Sequence, residues 1–141
     1  CQSVVEGVKE VVTKLMASGV DVWVLTGNFQ PAVGMLTDYL GIAAENVIFN
    51  EVYFDDDGKY KGFNSNNELA KNGGKARIIK KLFASGRPDK RIAYVGDGVT
   101  DLEVKDQVAI FIGFGGVVGR EVVRKGADIY VEGPNMYPLY D

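Results

Sequence analysis

Ile92-Ala93-Tyr94-Val95-Gly96-Asp97-Gly98-Val99-Thr100-Asp101 is a short apolar run that stops at a glycine and releases two carboxylates four residues apart. It reads as a buried parallel strand, a tight turn and the start of a helix. Asp97 then leaves the carboxyl end of a strand, where open α/β sheets place their ligands, and Asp101 follows about one helical turn later. Both side chains can reach one point in space. Two carboxylates converging in a glycine-lined crevice suit a hard cation, because Mg²⁺ takes one or two carboxylates together with phosphate and water. The same residues also fit a plainer use, in which Asp97 opens a turn and Asp101 caps the helix.

The surrounding composition frames that stretch. The chain has 141 residues, 46% hydrophobic, with 18 glycines and a net charge of −3. This is material for one core, so a single domain over residues 1–141 is expected. Lysines and glutamates are spread rather than blocked, leaving no basic footprint for nucleic acid. No apolar run has the length of a membrane span and no signal peptide is visible, which points to a cytoplasmic protein without membrane partners. Cys1 is the lone cysteine and histidine is absent. An internal disulfide, cysteine-phosphatase chemistry, phosphohistidine intermediates, serine–histidine pairs and histidine-rich metal sites are thereby excluded. The opening at Cys1, without an initiator methionine, reads as cut from something longer.

Upstream of the deciding stretch the pattern alternates between helix and strand. Val8, Val11, Val12, Leu15 and Met16 recur at helical spacing, and Gly19 supplies the stop. Val20–Leu25 reads as a strand ending at Thr26-Gly27-Asn28, with a helix from about Pro31 to Leu40 behind it. Thr26 and Gly27 thus take the same topological place as Asp97. A hydroxyl and bare backbone N–H groups at a helix start form an anion site, although a threonine there can equally serve as a cap. Asn46–Asn50 starts a further strand-like region, and Asp55-Asp56-Asp57-Gly58 between Val52-Tyr53-Phe54 and Tyr60–Phe63 predicts a hairpin over about 52–63. The three aspartates lack the ligand alternation and sixth-position glycine of a calcium loop, so a solvated turn is expected.

Gly73-Gly74-Lys75 opens a helix running to Gly86. A lysine in a first turn opposes the helix dipole, which an anion bound there would explain and simple solvent exposure would also permit. The glycine spacing of a P-loop is absent. Val108–Phe114 reads as a strand, Gly119–Lys125 as a short helix and Asp128–Val131 as a last strand. The glycines between Gly113 and Gly119 partly match a dinucleotide fingerprint, with Glu132 beyond as a ribose ligand, but its third glycine falls on Val118.

In this order, Thr26-Gly27 after a strand, Lys75 at a helix start and Gly96-Asp97-Gly98-Val99-Thr100-Asp101 resemble motifs two, three and four of the haloacid-dehalogenase superfamily. The likeness is narrower still. Val24–Phe29, Tyr60–Phe63, Gly73–Lys75, Val95–Asp101 and Phe111–Gly116 resemble the phosphoserine phosphatase family over nearly the whole chain. That resemblance implies a Rossmann-like α/β fold, a parallel sheet flanked by helices with the hairpin inserted. It further implies a phosphatase of serine biosynthesis: Mg²⁺-dependent hydrolysis of O-phospho-L-serine through an aspartyl-phosphate. Carried over, Thr26 binds the phosphoryl oxygens with Gly27 and Asn28 assisting, and Lys75 neutralises the phosphate. Asp97 ligates Mg²⁺, Thr100 lies within reach of the phosphate, and Asp101 orients the cation and Lys75 without ligating it. Asn28 stands where the family usually has glycine, tolerable because asparagine accepts positive φ better than most residues.

The family's first motif, DxDxT, has no counterpart in the 141 residues, for Asp55 and Asp57 have the spacing but no following threonine. The resemblance therefore implies a chain without its attacking carboxylate, its first central strand and most of its cap, and one that does not turn over alone. Loss of a central strand uncovers apolar side chains at about 1.5–3 kcal/mol each, a sum on the order of the ~5–15 kcal/mol stability of a domain. Pairing with the missing segment, pairing with a second copy, or a rearranged sheet would compensate. A non-catalytic phosphate- or metal-binding module and a nucleotide-binding domain using the Gly113–Gly119 region are the alternatives.

Overall fold

The computed structural model of the chain describes residues 4–84, 92–116 and 118–140. They form two compact units, Lys9–Asn72 and Cys1–Val8 with Gly73–Asp141. Cys1 and the expected helix end at Gly86 lie outside the described residues.

The Lys9–Asn72 unit begins with α1 (Val8–Ala17), whose Val11 and Val12 are buried. Its end is a Schellman turn. Gly19, at φ +80°, donates to the Met16 carbonyl, and Val20 donates to the Leu15 carbonyl at 3.0 Å. Strand β1 (Val24–Phe29) leads directly into α2 (Gln30–Leu40), and α2 carries the chain back to β2 (Val47–Asn50), parallel to β1. Gly41 repeats the same glycine stop for α2, with Ile42 donating to Thr37. The hairpin follows as β3 (Val52–Phe54) and β4 (Tyr60–Phe63), antiparallel as expected. Asp55 makes its turn: one carboxylate oxygen accepts from the N–H groups of Asp57 and Lys59.

One strand differs from the sequence reading. The strand expected at Val20–Leu25 starts only at Val24 and runs through Thr26, Gly27 and Asn28 to Phe29. Partner strand β2 decides this. Val24 pairs with Val47 and Leu25 with Ile48, then the register shifts before Phe29 meets Asn50. Ahead of it, the Asn46 amide donates to Asp21 and to the Val22 carbonyl, holding that segment by a side chain instead of a ladder. Thr26 and Gly27 thus lie inside the irregular part of β1, not beyond its end. No described non-glycine residue has positive φ, so Asn28 needs no such tolerance.

The other unit contains α3 (Gly74–Ala84), β5 (Ala93–Gly96), α4 (Val99–Leu102), β6 (Ile110–Phe114), α5 (Glu121–Gly126) and β7 (Ile129–Val131). Its strands pair in parallel in the order β5-β6-β7. Phe111, Val104 and Val123 are fully buried at its centre. Strand β5, read from sequence as buried, ends the described sheet, and Val95 on it is 42% exposed. Among the described residues β5 pairs with β6 alone.

The glycines within and after β6 serve packing. A Cβ on Gly113 would come within 2.8 Å of the Tyr130 ring, one on Gly115 would strike the Tyr130 hydroxyl, and one on Gly116 would strike the Phe114 ring. What these glycines make room for is Tyr130 and Phe114. Packing accounts for these glycines without a nucleotide.

Candidate active site

Lys75 enters at the second residue of α3, after the positive φ of Gly73 sets the turn. Its ammonium does not point to solvent. It lies 2.6 Å from Oδ1 of Asp101, with the two side chains 18% and 9% exposed. The carboxylate is the reason a cation is tolerated where the helix dipole opposes one.

Asp101 gathers three donors. Lys75 Nζ and the Tyr94 hydroxyl, at 2.7 Å, both reach Oδ1, while the Gly98 N–H donates to Oδ2 at 2.9 Å. Capping of α4 and pairing with Lys75, two separate uses of Asp101 on sequence grounds, are thus one arrangement. Burial pushes its pKa up, but the hydrogen bonds from Lys75 and Tyr94, the lysine charge and the Gly98 N–H outweigh it, so the acid titrates below its ordinary value. Burial, then the charge of Asp101 and its hydrogen bond, then the charge of Asp97, push the Tyr94 phenol well above the ordinary tyrosine value. Gly96 makes room for all of this, since a Cβ there would sit 2.5 Å from the Asp101 Cβ.

Asp97 stands where the sequence places it, just past the carboxyl end of β5 and partly buried. No hydrogen bond or ion pair to it is formed among the described residues, and its charge is felt by Tyr94. A magnesium ion finds only part of its ligand set here: no three acidic, cysteine or histidine side chains are placed to hold a metal ion among the described residues, and both oxygens of Asp101 already have donors. One carboxylate suffices where phosphate and water complete the octahedron. Asp97 fits that single part.

Thr100 is exposed on α4. Thr26, half-buried, and Gly27, exposed, belong to the Lys9–Asn72 unit, and the side chain of Asn28 lies outside the described residues. The residue that the sequence reading passed over is Tyr94. Its only signal was a hydroxyl on an otherwise apolar strand, two residues before a glycine.

Comparison with known proteins follows the same residues. The haloacid dehalogenase-like hydrolase family matches residues 2–104. The chain belongs to that family. It is 36% identical over 124 residues to the chloroplastic phosphoserine phosphatase of Arabidopsis thaliana, covering 86% of this chain and 42% of that one. To the phosphoserine phosphatase of Homo sapiens it is 37% identical over 125 residues, covering 89% and 55%. A phosphoserine phosphohydrolase-like protein from Francisella tularensis has the same fold, with a TM-score of 0.78 at 24% identity over 93% of this chain and 60% of that one. The chain spans about half the length of the curated relatives it matches. The haloacid-dehalogenase fold accounts for the parallel strands, the helices between them and the position of Asp97.

Proposed function

We propose that this chain supplies the phosphate- and cation-binding part of a magnesium-dependent phosphomonoesterase acting on O-phospho-L-serine. The observation that carries it is the Lys75–Asp101 pair next to the strand end that bears Asp97. Phosphoryl transfer relies on positioning and on charge placed in advance. Lys75, held at a buried carboxylate, is a cation fixed before substrate arrives. Asp97 would hold the magnesium ion, which when bound offsets the charge of the phosphoryl oxygens. The family resemblance gives Thr26, Gly27 and Asn28, which belong to the Lys9–Asn72 unit, a phosphate-binding role, and Thr100 would add a hydroxyl beside Asp97. Asp55 is not the attacking carboxylate in this reading, because it is bound to its own turn.

Phosphoserine as the particular substrate rests on the relatives' names and on the Gly-Phe segments around Phe63 and Phe114. Cytoplasmic residence belongs to the same proposal; what supports it is that no described helix is long and apolar enough to cross a membrane. So does completion of the site by a segment bearing DxDxT or by a second copy of the chain.

Calorimetric titration of the purified chain with O-phospho-L-serine tests the reading. Binding is expected, tighter with Mg²⁺ than without, with the magnesium effect lost in Asp97→Asn, and without release of phosphate. Binding that ignores both magnesium and the Asp97 change overturns it, and steady phosphate release overturns the assignment of the attacking group to another segment.

A further inference from the structure

We propose that Tyr94 is a positioning residue that keeps Asp101 hydrogen-bonded when Lys75 turns toward an anion; this rests on the reading of Lys75 given above. The three donors on Asp101 fall into two kinds. The Gly98 N–H is backbone, and the Tyr94 hydroxyl is carried by a ring stacked on buried Phe111 at 5.7 Å and 16°. Neither can follow a ligand. The Lys75 ammonium ends a flexible four-carbon stem and its side chain is 18% exposed, so of the three donors it is the one that can shift.

An anion that draws this ammonium away takes a donor from a carboxylate whose side chain is 9% exposed. Water is poorly placed to replace it, and a buried charge that loses its partner is strongly disfavoured. Tyr94 already donates to the same oxygen, at 2.7 Å, so each oxygen of Asp101 retains a donor through the exchange. With Tyr94 gone, Oδ1 would depend on Lys75 alone, and the pair would compete with the anion instead of yielding to it. The phenol stays protonated, hence a donor, because its surroundings are buried and negative.

The test compares the wild type, Tyr94→Phe, Lys75→Ala and the double variant. Each is titrated with inorganic phosphate, and the Asp101 carboxyl is followed against pH by ¹³C NMR. Tyr94→Phe leaves the ring on Phe111 and is expected to bind phosphate about tenfold more weakly, the scale of one hydrogen bond to a charged group. Lys75→Ala is expected to lose phosphate binding, with Asp101 titrating lower in it than in the double variant. Wild-type affinity in Tyr94→Phe, or identical Asp101 titrations in Lys75→Ala and the double variant, overturns the role of Tyr94. Phosphate binding that Lys75→Ala keeps, or that the wild type lacks, instead removes the anion reading of Lys75, and the proposal falls with it.

Discussion

Lys75–Asp101 and Lys105–Asp128 are the same pair of side chains in two settings of one unit. The first lies at 2.6 Å with its side chains 18% and 9% exposed; the second lies at 3.1 Å with 40% and 41% exposed. Each aspartate also accepts a backbone N–H, from Gly98 at 2.9 Å and from Phe111 at 2.8 Å. Each titrates below its ordinary value. For Asp128 the Phe111 N–H is the main cause and the Lys105 hydrogen bond the next, with burial a lesser influence against them. For Asp101 burial is the largest influence and works the other way. The difference teaches that an ion pair becomes a site only where water is withheld. Asp128 pins the turn before β7 to β6, and solvent can stand in for its lysine. At Asp101 water is held off, and what can stand in for the lysine is the Tyr94 hydroxyl on the same oxygen.

Asp101→Asn should have the largest effect. Loss of the charge strands a mostly buried ammonium, and a cost of about 3 kcal/mol is expected in urea denaturation at pH 7, near the low end for a broken buried pair because Lys75 keeps some water. The depressed pKa of Asp101 contributes stability that is full above the ordinary aspartate value and is lost as pH falls through the lower, folded one. The variant should therefore converge on the wild type in acid. An equal loss on Asp128→Asn would break the comparison.

Tyr94 sharpens it from the alkaline side. Its pKa is raised, so its contribution is full below the ordinary tyrosine value of about 10 and is lost as pH climbs toward the folded one. In a spectrophotometric titration of the seven tyrosines, one should fail to ionise with the others until the unit unfolds. Full ionisation of the folded chain near the ordinary value would show that Tyr94 is not held as described.

Asp128→Asn should have the smallest effect. The amide oxygen can still accept from Phe111, and only an exposed pair is lost, so the thermal midpoint should move no more than replicate scans differ. A large shift would mean that exposure does not separate the two pairs.

Much of this was legible in the chain as text. Gly19 and Gly41 announce helix ends because only a residue free of Cβ takes positive φ cheaply, and both do. Asp-Gly between aromatic runs announces the hairpin. The Asp97–Asp101 spacing marks a strand-to-helix turn at a sheet rim, and it is there. What the text hides is pairing. Val20–Leu25 has strand composition throughout, yet β1 begins at Val24 because β2 offers a ladder only from Val47. Val95 reads as core, yet stands 42% exposed on an end strand. Tyr94 looks like filler in an apolar run, since nothing in local sequence tells which side chain will meet a hydroxyl from another turn.

Gly96 carries a genetic consequence. Every missense change of a glycine codon by a single base installs a Cβ, and here that atom would arrive 2.5 to 2.8 Å from the body of the Asp101 side chain. No conservative allele exists at this codon: even alanine would shove the acid off its three donors while leaving every charge in the protein unaltered.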